Sequence, residues 1–198
     1  MTVTEPAGSP RDAWALLAGG MLVLAGSAVP VRVHRVSHPE ASLFRAVNGV
    51  PGLPFPPVWA VMQLGNIAAV PVSAGAALRA GRPRLAAGLF GAGTLTYVLA
   101  KAIKRLARRG RPATLLGDVH IRGAASYDLG FVSGHAGVAT AMAAVLWPGL
   151  GAPWRAAVAL LALLVSLSRV YVGAHLPLDI VGGAALGAAS AGLARLVR

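Results

Sequence analysis

The chain has 198 residues, of which 56% are hydrophobic and only 12% are charged, and it contains no cysteine. This composition is too apolar for an ordinary soluble domain, and it excludes disulfides, thiolate catalysis and cysteine-ligated metals. The net charge is +12, but the basic residues lie mostly between apolar stretches without interleaved aromatic residues, which argues against nucleic acid as a partner. Anionic headgroups of a bilayer, or a phosphorylated substrate, account for the same charge.

The apolar stretches predict an all-α fold, a six-span transmembrane helical bundle. Each stretch is roughly 17 to 22 residues long, which suits a hydrocarbon layer of about 30 Å at a rise of about 1.5 Å per helical residue. Residues 1–12 contain several helix-breaking residues and predict a disordered lead, so that 13–198 form a single domain. The predicted spans are 13–31, 57–78, 85–103, 135–151, 155–172 and 178–196.

The connections between the spans differ in character. The linker 32–56 holds a short amphipathic run around Phe44 that predicts an interfacial helix. The basic turn 79–84 predicts that spans two and three form an antiparallel hairpin. Residues 104–134 form the one long, charge-rich connection, which is where function is expected. In the last span, the spacing of Gly183 and Gly187 predicts close approach of a neighbouring helix.

The most informative motif is Ser168-Arg169, followed by His175 and, four residues later, Asp179. Asp179 falls inside an apolar span, where an unpaired carboxylate costs at least about 2.5 kcal/mol, so it needs a partner. His175 lies one helical turn away, and a carboxylate that holds one imidazole nitrogen leaves the other nitrogen free to attack. A histidine nucleophile suits phosphorus, because water can later hydrolyse the phosphohistidine.

Two earlier motifs supply the other groups that phosphoryl transfer needs. The triplet Ser133-Gly134-His135 opens the fourth span, where His135 is placed to act as a general acid and the Ser133 and Gly134 amides predict an anion site at a helix N-terminus. Phosphoryl transfer spreads negative charge over three oxygens, so fixed cations are expected around it, and no metal or other cofactor is required. The candidate cations are Lys104, Arg111 and Arg169.

Together, these three motifs resemble those of the type 2 phosphatidic acid phosphatase superfamily, also called lipid phosphate phosphatases, in its bacterial membrane branch. The motifs cover residues 104–179, and the six predicted spans extend the resemblance to most of the chain. The resemblance implies a bundle of the lipid phosphate phosphatase and vanadium haloperoxidase type. It also implies nucleophilic attack by His175, acid catalysis by His135 and orientation by Asp179. The phosphate-binding residues that it implies are Lys104, Arg111, Ser133, Gly134 and Arg169.

One residue departs from the family pattern. The family usually has proline before the Ser-Gly-His triplet, and this chain has Val132. We expect the proline to act mainly by stiffening the loop, with no side-chain contact. The substitution therefore predicts altered loop rigidity with activity retained.

Several alternatives remain open at the level of the sequence. Basic residues that flank a span are usually headgroup anchors, and this is the interpretation for Arg105, Arg108 and Arg109. The pair His175 and Asp179 is also compatible with a structural clamp or half of a metal site. A catalytically silent phospholipid-binding or transport protein, and a phosphotransferase to an acceptor other than water, are alternatives to the phosphatase.

The leading hypothesis is a metal-independent phosphatase of a membrane lipid. The resemblance supports phosphatidate, phosphatidylglycerophosphate and undecaprenyl diphosphate as substrates. The excess of arginine over lysine, with abundant alanine and glycine, suggests a bacterial source and favours the polyprenyl carrier. The basic residues divide equally between the two sides of the bilayer, so the positive-inside rule is silent. The resemblance favours a multi-pass protein of the plasma membrane with an extracytoplasmic active site.

Overall fold

The structure is a computed structural model, and it describes residues 8–32, 35–124 and 128–197. Within these ranges the chain folds into helices and connecting loops, with no β-strand. The helices are α1 (Pro10–Val31), α2 (His38–Asn48), α3 (Phe55–Gln63), α4 (Ala69–Arg79), α5 (Pro83–Ala107), α6 (Pro112–Leu115), α7 (Gly134–Leu146), α8 (Ala152–Tyr171) and α9 (Pro177–Leu196). The fold is therefore all-α, as predicted.

Four of the six predicted spans are single long helices. In the described part of the chain, α1, α5, α8 and α9 are long and apolar enough to cross a membrane, with 22, 25, 20 and 20 residues. At about 1.5 Å per residue, 20 residues reach the roughly 30 Å of a hydrocarbon layer. These helices indicate a multi-pass membrane protein.

The other two predicted spans are not single long helices. The stretch 57–78 is broken into α3 and α4, and the Asn66 side chain accepts a hydrogen bond from the Ala68 amide in the turn between them (3.1 Å). The stretch 135–151 holds the 13-residue α7, which reaches only about 20 Å before a 3-10 turn at Trp147–Gly149. Pro148 lacks the amide hydrogen that a continued helix requires. The count of six crossings therefore stays a prediction.

The N-terminal boundary also differs from the prediction. Residues 1–7 of the predicted lead lie outside the described residues. Pro10–Asp12, which the prediction also assigned to the lead, form the first turn of α1. The Ser9 hydroxyl accepts a hydrogen bond from the Asp12 amide (3.1 Å) and so caps this turn, and Pro10 is favoured at a helix start.

The last helix, α9, lies at the centre of the bundle and packs mainly against α1 and α7. Its contact with α7 occurs through glycine, as the small-residue spacing predicted. A Cβ at Gly183 would overlap the Ser133 carbonyl oxygen, and a Cβ at Gly187 would overlap the Gly137 carbonyl oxygen. The two backbones therefore touch directly, and this contact fixes the start of α7 against α9.

We predict that Gly187→Val lowers the melting temperature of the detergent-solubilised protein, because the side chain must push α7 away from α9. Overpacking of this kind costs about 1–3 kcal/mol, or roughly 2–12 °C in a chain of this length. Gly91→Ala on α5 is the matched control, because a Cβ at Gly91 would meet no other atom within 4 Å. Equal melting temperatures for the two variants would contradict the close contact.

Candidate active site

All three motifs lie at one end of the helical bundle. Lys104 and Arg169 lie in the last turns of α5 and α8, whereas Ser133 and Asp179 belong to the starts of α7 and α9. Helices that run in opposite directions bring the C-terminal ends of one pair next to the N-terminal ends of the other. The structure thus brings together residues from a 76-residue stretch of sequence, 104–179.

The first motif forms a loop that pairs with the segment before the Ser-Gly-His triplet. The helix α5 ends at Arg108, which adopts a left-handed conformation (φ 48°). The Gly130 amide then donates to the Arg109 carbonyl (2.7 Å). Lys104 Nζ donates to the carbonyls of Leu129 (3.0 Å) and Gly130 (2.9 Å). Lys104 is therefore held at the site by neutral carbonyl groups rather than by a carboxylate.

Arg111 connects the first motif to the third. Its guanidinium forms an ion pair with Asp128 through Nε, and it donates to the Ala174 carbonyl through NH1 (3.0 Å). The side chain of Arg111 is largely buried, whereas that of Asp128 is mostly exposed. Arg111 is therefore fixed beside the backbone that immediately precedes His175.

The second motif begins α7, as predicted, but its amides differ from the prediction in one respect. Ser133 is the N-cap, and its hydroxyl accepts from the Ala136 amide (3.4 Å). The Ser133 amide, predicted as an anion donor, instead donates to the Asp179 carbonyl (2.8 Å). Within the described residues, no acceptor takes the amide hydrogens of Gly134 and His135. Unpaired amides at the start of a helix are the type of group that binds anions.

The third motif places the imidazole against a carboxylate. His175 is 2% exposed, and its Nδ1 lies 3.4 Å from Asp179 Oδ2. Asp179 is fully buried, and its Oδ2 also accepts from the Leu176 amide (2.9 Å). The backbone of His175 is held by a hydrogen bond from its amide to the Arg169 carbonyl (3.2 Å). With Nδ1 facing Asp179, Nε2 is the nitrogen available for chemistry.

Positive charge surrounds the imidazole of His175. Burial lowers its pKa well below the ordinary histidine value, and the nearby charges of Lys104, Arg169 and Arg111 lower this pKa further. His175 is therefore neutral at physiological pH. A neutral imidazole has the free lone pair that a nucleophile requires.

Arg169 offers its guanidinium without a carboxylate partner in the described chain. Its NH1 lies 3.1 Å from the sulfur of Met62, and its buried Nε has no hydrogen-bond partner there. A buried donor without an acceptor is costly, by about 1–3 kcal/mol. An incoming anion would satisfy this donor.

A cavity of about 380 Å³ lies beside these groups. It is lined by Arg111, His135 and Arg169, and Phe55 and Trp59 of α3 contribute to its wall. Residues 121–124 of the long connection form another part of the wall. The cavity is large enough for a phosphorylated headgroup, with an apolar wall toward α3.

The interpretation of Arg109 as a headgroup anchor is wrong. Arg109 is 2% exposed and donates to Glu40 Oε2 (2.6 Å) and to Asp179 Oδ1 (3.0 Å). No local pattern signals the pairing with Glu40, because the two residues are 69 positions apart. The need of Asp179 for a partner is the sequence signal for this pairing, but the four-residue spacing points to His175.

Val132, which stands where the family usually has proline, makes side-chain contacts of its own in this chain. Val132 is completely buried, and it belongs to an apolar cluster with Val31, Ala100 and Leu186. A branched aliphatic side chain at this position therefore contributes packing between α1, α5 and α9. Its effect on activity stays a prediction.

A second group of residues missed by sequence analysis holds the outer loop. The buried Asn48 side chain donates to the carbonyls of His120 (2.9 Å) and Tyr171 (2.9 Å) and accepts from the His120 amide (2.8 Å). Arg122 donates to the Asn48 and Tyr171 carbonyls, and its guanidinium lies 4.0 Å from the centre of the Tyr171 ring. These contacts fix the cavity wall at residues 121–124 to the end of α8.

The fold and the site define an all-helical membrane protein with a histidine and cation centre at one end of its bundle. Residues 85–198, more than half of the chain, match the PAP2 superfamily. The chain belongs to this superfamily, which confirms the membership that the three motifs predicted.

Part of the chain is also similar to a curated phosphatase. The chain is 39% identical over 94 residues to the decaprenylphosphoryl-5-phosphoribose phosphatase of Mycolicibacterium smegmatis, in a match that covers 47% of this chain and 49% of the relative. The match thus spans about half the length of this curated relative.

Two solved structures share the fold. LpxE of Aquifex aeolicus matches with a TM-score of 0.72 and 28% identity, covering 80% of this chain and 94% of that chain. A PAP2-type phosphatidylglycerolphosphate phosphatase of Bacillus subtilis matches with a TM-score of 0.62 and 20% identity, covering 94% and 95%. The second likeness concerns the fold alone.

We predict that Arg169→Met weakens binding of inorganic phosphate by roughly 10- to 100-fold, because a hydrogen bond to a charged group contributes about 1.5–3 kcal/mol. Competitive inhibition by phosphate or calorimetry measures this change. Arg155 lies at the opposite end of the same helix, beside Trp147, so Arg155→Met is the matched control. Equal phosphate affinities for the two variants would remove Arg169 from the anion site.

Proposed function

We propose that the chain is a membrane phosphatase that hydrolyses the phosphomonoester or diphosphate of a lipid through a phosphohistidine intermediate. The observation that carries this proposal is the buried imidazole of His175, whose Nδ1 lies 3.4 Å from the carboxylate of Asp179 and which is near three cationic side chains. Membership of the PAP2 superfamily supports the same chemistry.

In the first step, His175 Nε2 attacks phosphorus while the bond from phosphorus to the lipid oxygen breaks. His135, which lines the cavity, donates a proton to that leaving oxygen. Asp179 faces Nδ1 and orients the imidazole, and it stabilises the positive charge that the ring acquires on attack.

In the second step, water attacks the phosphohistidine and the bond from phosphorus to nitrogen breaks. His135, now neutral, accepts a proton from the attacking water, which restores its acid form. Inorganic phosphate leaves and His175 returns to its starting state. No step of this sequence requires a metal ion.

The phosphoryl oxygens bind to cationic side chains and backbone amides at this end of the bundle, of which Arg111 and Arg169 line the cavity. We assign this role to Lys104, Arg111 and Arg169, together with Ser133 and Gly134 at the start of α7. Arginine suits two-point contact with phosphate oxygens, whereas lysine acts as a point charge. Because the Ser133 amide donates to the Asp179 carbonyl, Ser133 contributes its hydroxyl to phosphate binding. The Gly134 amide donates directly to a phosphoryl oxygen.

The substrate that we favour is a polyprenyl-linked phosphate, with phosphatidate and phosphatidylglycerophosphate as the competing lipids. Support comes from the relative that is named for a decaprenyl substrate. The position of the site at the helix ends also suits a lipid whose headgroup enters the cavity while its tail stays in the bilayer.

We further propose six membrane crossings, with the active site on the extracytoplasmic face of the plasma membrane. In this arrangement, α3 and α4 together form one crossing, and α7 with its 3-10 turn forms a short one. Neighbouring helices can satisfy the backbone groups that such a break exposes inside a bundle.

The first test of the proposed function is phosphate release in detergent from decaprenyl- or undecaprenyl-linked phosphates, phosphatidate and phosphatidylglycerophosphate, with EDTA present. We expect release from wild type and a loss of at least about 1,000-fold in His175→Ala, because the nucleophile is removed. His120→Ala is the control, since His120 makes its described contacts through its backbone. Activity that requires a metal, or that survives in His175→Ala, would overturn the mechanism.

The proposed orientation can be tested with single cysteines, because the native chain contains none. Ser42 is exposed on α2 at the active-site end, and Ala80 is exposed in the turn after α4 at the other end. A membrane-impermeant maleimide should label Ser42→Cys in intact cells and label Ala80→Cys only after permeabilisation. The reverse pattern would place the active site in the cytoplasm.

A further inference from the structure

Arg109 joins two carboxylates in the interior of the protein. Its NH2 donates to Glu40 Oε2 (2.6 Å), and its NH1 donates to Asp179 Oδ1 (3.0 Å). The side chains of Glu40, Arg109 and Asp179 are all less than 5% exposed. Burial of three charges is unfavourable unless the geometry and the hydrogen bonds compensate for it, so an arrangement of this kind calls for a functional explanation.

Both carboxylates also hold the backbone at the start of α9. Glu40 Oε1 accepts from the Leu178 amide (3.0 Å), and Asp179 Oδ2 accepts from the Leu176 amide (2.9 Å). These amides lie among the first residues of the helix, where no intrahelical acceptor is available. The backbone of residues 176–178, which follows His175, is thus held by both carboxylates.

The charges in this cluster explain why two carboxylates are present. Lys104, Arg111 and Arg169 surround His175 and disfavour the positive charge that its ring gains on attack. Asp179 opposes this effect, but Arg109 alone would neutralise Asp179. Glu40 supplies a second negative charge, so the cluster of Glu40, Arg109 and Asp179 carries a net charge of −1 beside the imidazole.

We propose that Glu40 and Arg109 are positioning residues for the nucleophile: they fix the carboxylate of Asp179 against His175 Nδ1 and keep the net charge of this cluster negative. The inference rests on the proposed histidine mechanism. It assigns to α2 a role in the phosphoryl transfer step that is separate from phosphate binding, since both guanidinium donors of Arg109 are taken by carboxylates and Glu40 carries a negative charge.

The primary test compares kcat, KM and inhibition by inorganic phosphate in Glu40→Gln. The side-chain oxygen of the glutamine can still accept from the Leu178 amide. Its NH2 group, however, faces the NH2 donor of Arg109, so no hydrogen bond forms there, and the substitution removes one negative charge. We expect kcat to fall at least about tenfold, with KM and the inhibition constant of phosphate within about twofold of wild type. Glu40→Asp keeps the charge and should recover part of kcat.

A matched control lies on the same helix. Arg45 of α2 pairs with Asp118 at 2.6 Å, and both side chains are about half exposed. Arg45→Gln therefore removes an ion pair of α2 that does not reach His175. We expect its kcat to stay within about twofold of wild type, because exposed ion pairs contribute little.

A double-mutant comparison separates positioning from general stability. If Glu40 acts through Asp179, then Glu40→Gln should change kcat less than about twofold in an Asp179→Asn background. Multiplicative losses in the double variant would overturn the inference, as would parallel changes in kcat, KM, phosphate inhibition and melting temperature. Full activity of Glu40→Gln would also overturn it. Absence of phosphate release from wild type would instead overturn the proposed function.

Discussion

A carboxylate inside an apolar bundle is tolerated only where cationic and amide donors meet it. Asp179 satisfies this constraint with both oxygens, through Arg109 on one side and the Leu176 amide on the other, and His175 Nδ1 lies 3.4 Å from the second oxygen. Its backbone carbonyl accepts from the Ser133 amide as well. The starts of α7 and α9, the loop after α5 and the helix α2 are thus all placed relative to this one residue. The geometry of the site follows from this residue, because the donors that stabilise one buried carboxylate come from several elements.

The cations at this end of the bundle fall into two groups. Arg109 is bound by two buried carboxylates, and Arg122 by backbone carbonyls and the Tyr171 ring, so both stabilise the structure around the cavity. Lys104 is held only by neutral carbonyls, and Arg169 faces a sulfur atom. Neither of these last two side chains forms an ion pair with a described carboxylate. Electrostatic attraction for a phosphoryl group is therefore retained where the nucleophile lies.

Sequence analysis predicted the parts of the structure that local patterns encode. The three motifs and the Gly183 contact follow from spacing within single segments, and the family match confirms the membership that they predicted. The contacts of Glu40 and Asn48 could not be predicted in this way, because their partners lie 69 or more residues away and ordinary polar side chains give no pairing signal. The break between α3 and α4 is not predictable from hydropathy, for a different reason. Hydropathy averages over a window, and it is insensitive to a turn of five residues between two apolar helices.

The helix α3 has a different relation to the bundle from the helices that carry the motifs. It packs mainly against α8, and it contributes Phe55, Trp59 and Met62 to the cavity without supplying any predicted catalytic group. Met62 also accepts from Arg169 NH1 (3.1 Å), so this helix touches both the cavity and one of the cations at its edge. A substitution at Met62 therefore changes the cavity wall and the surroundings of Arg169 together.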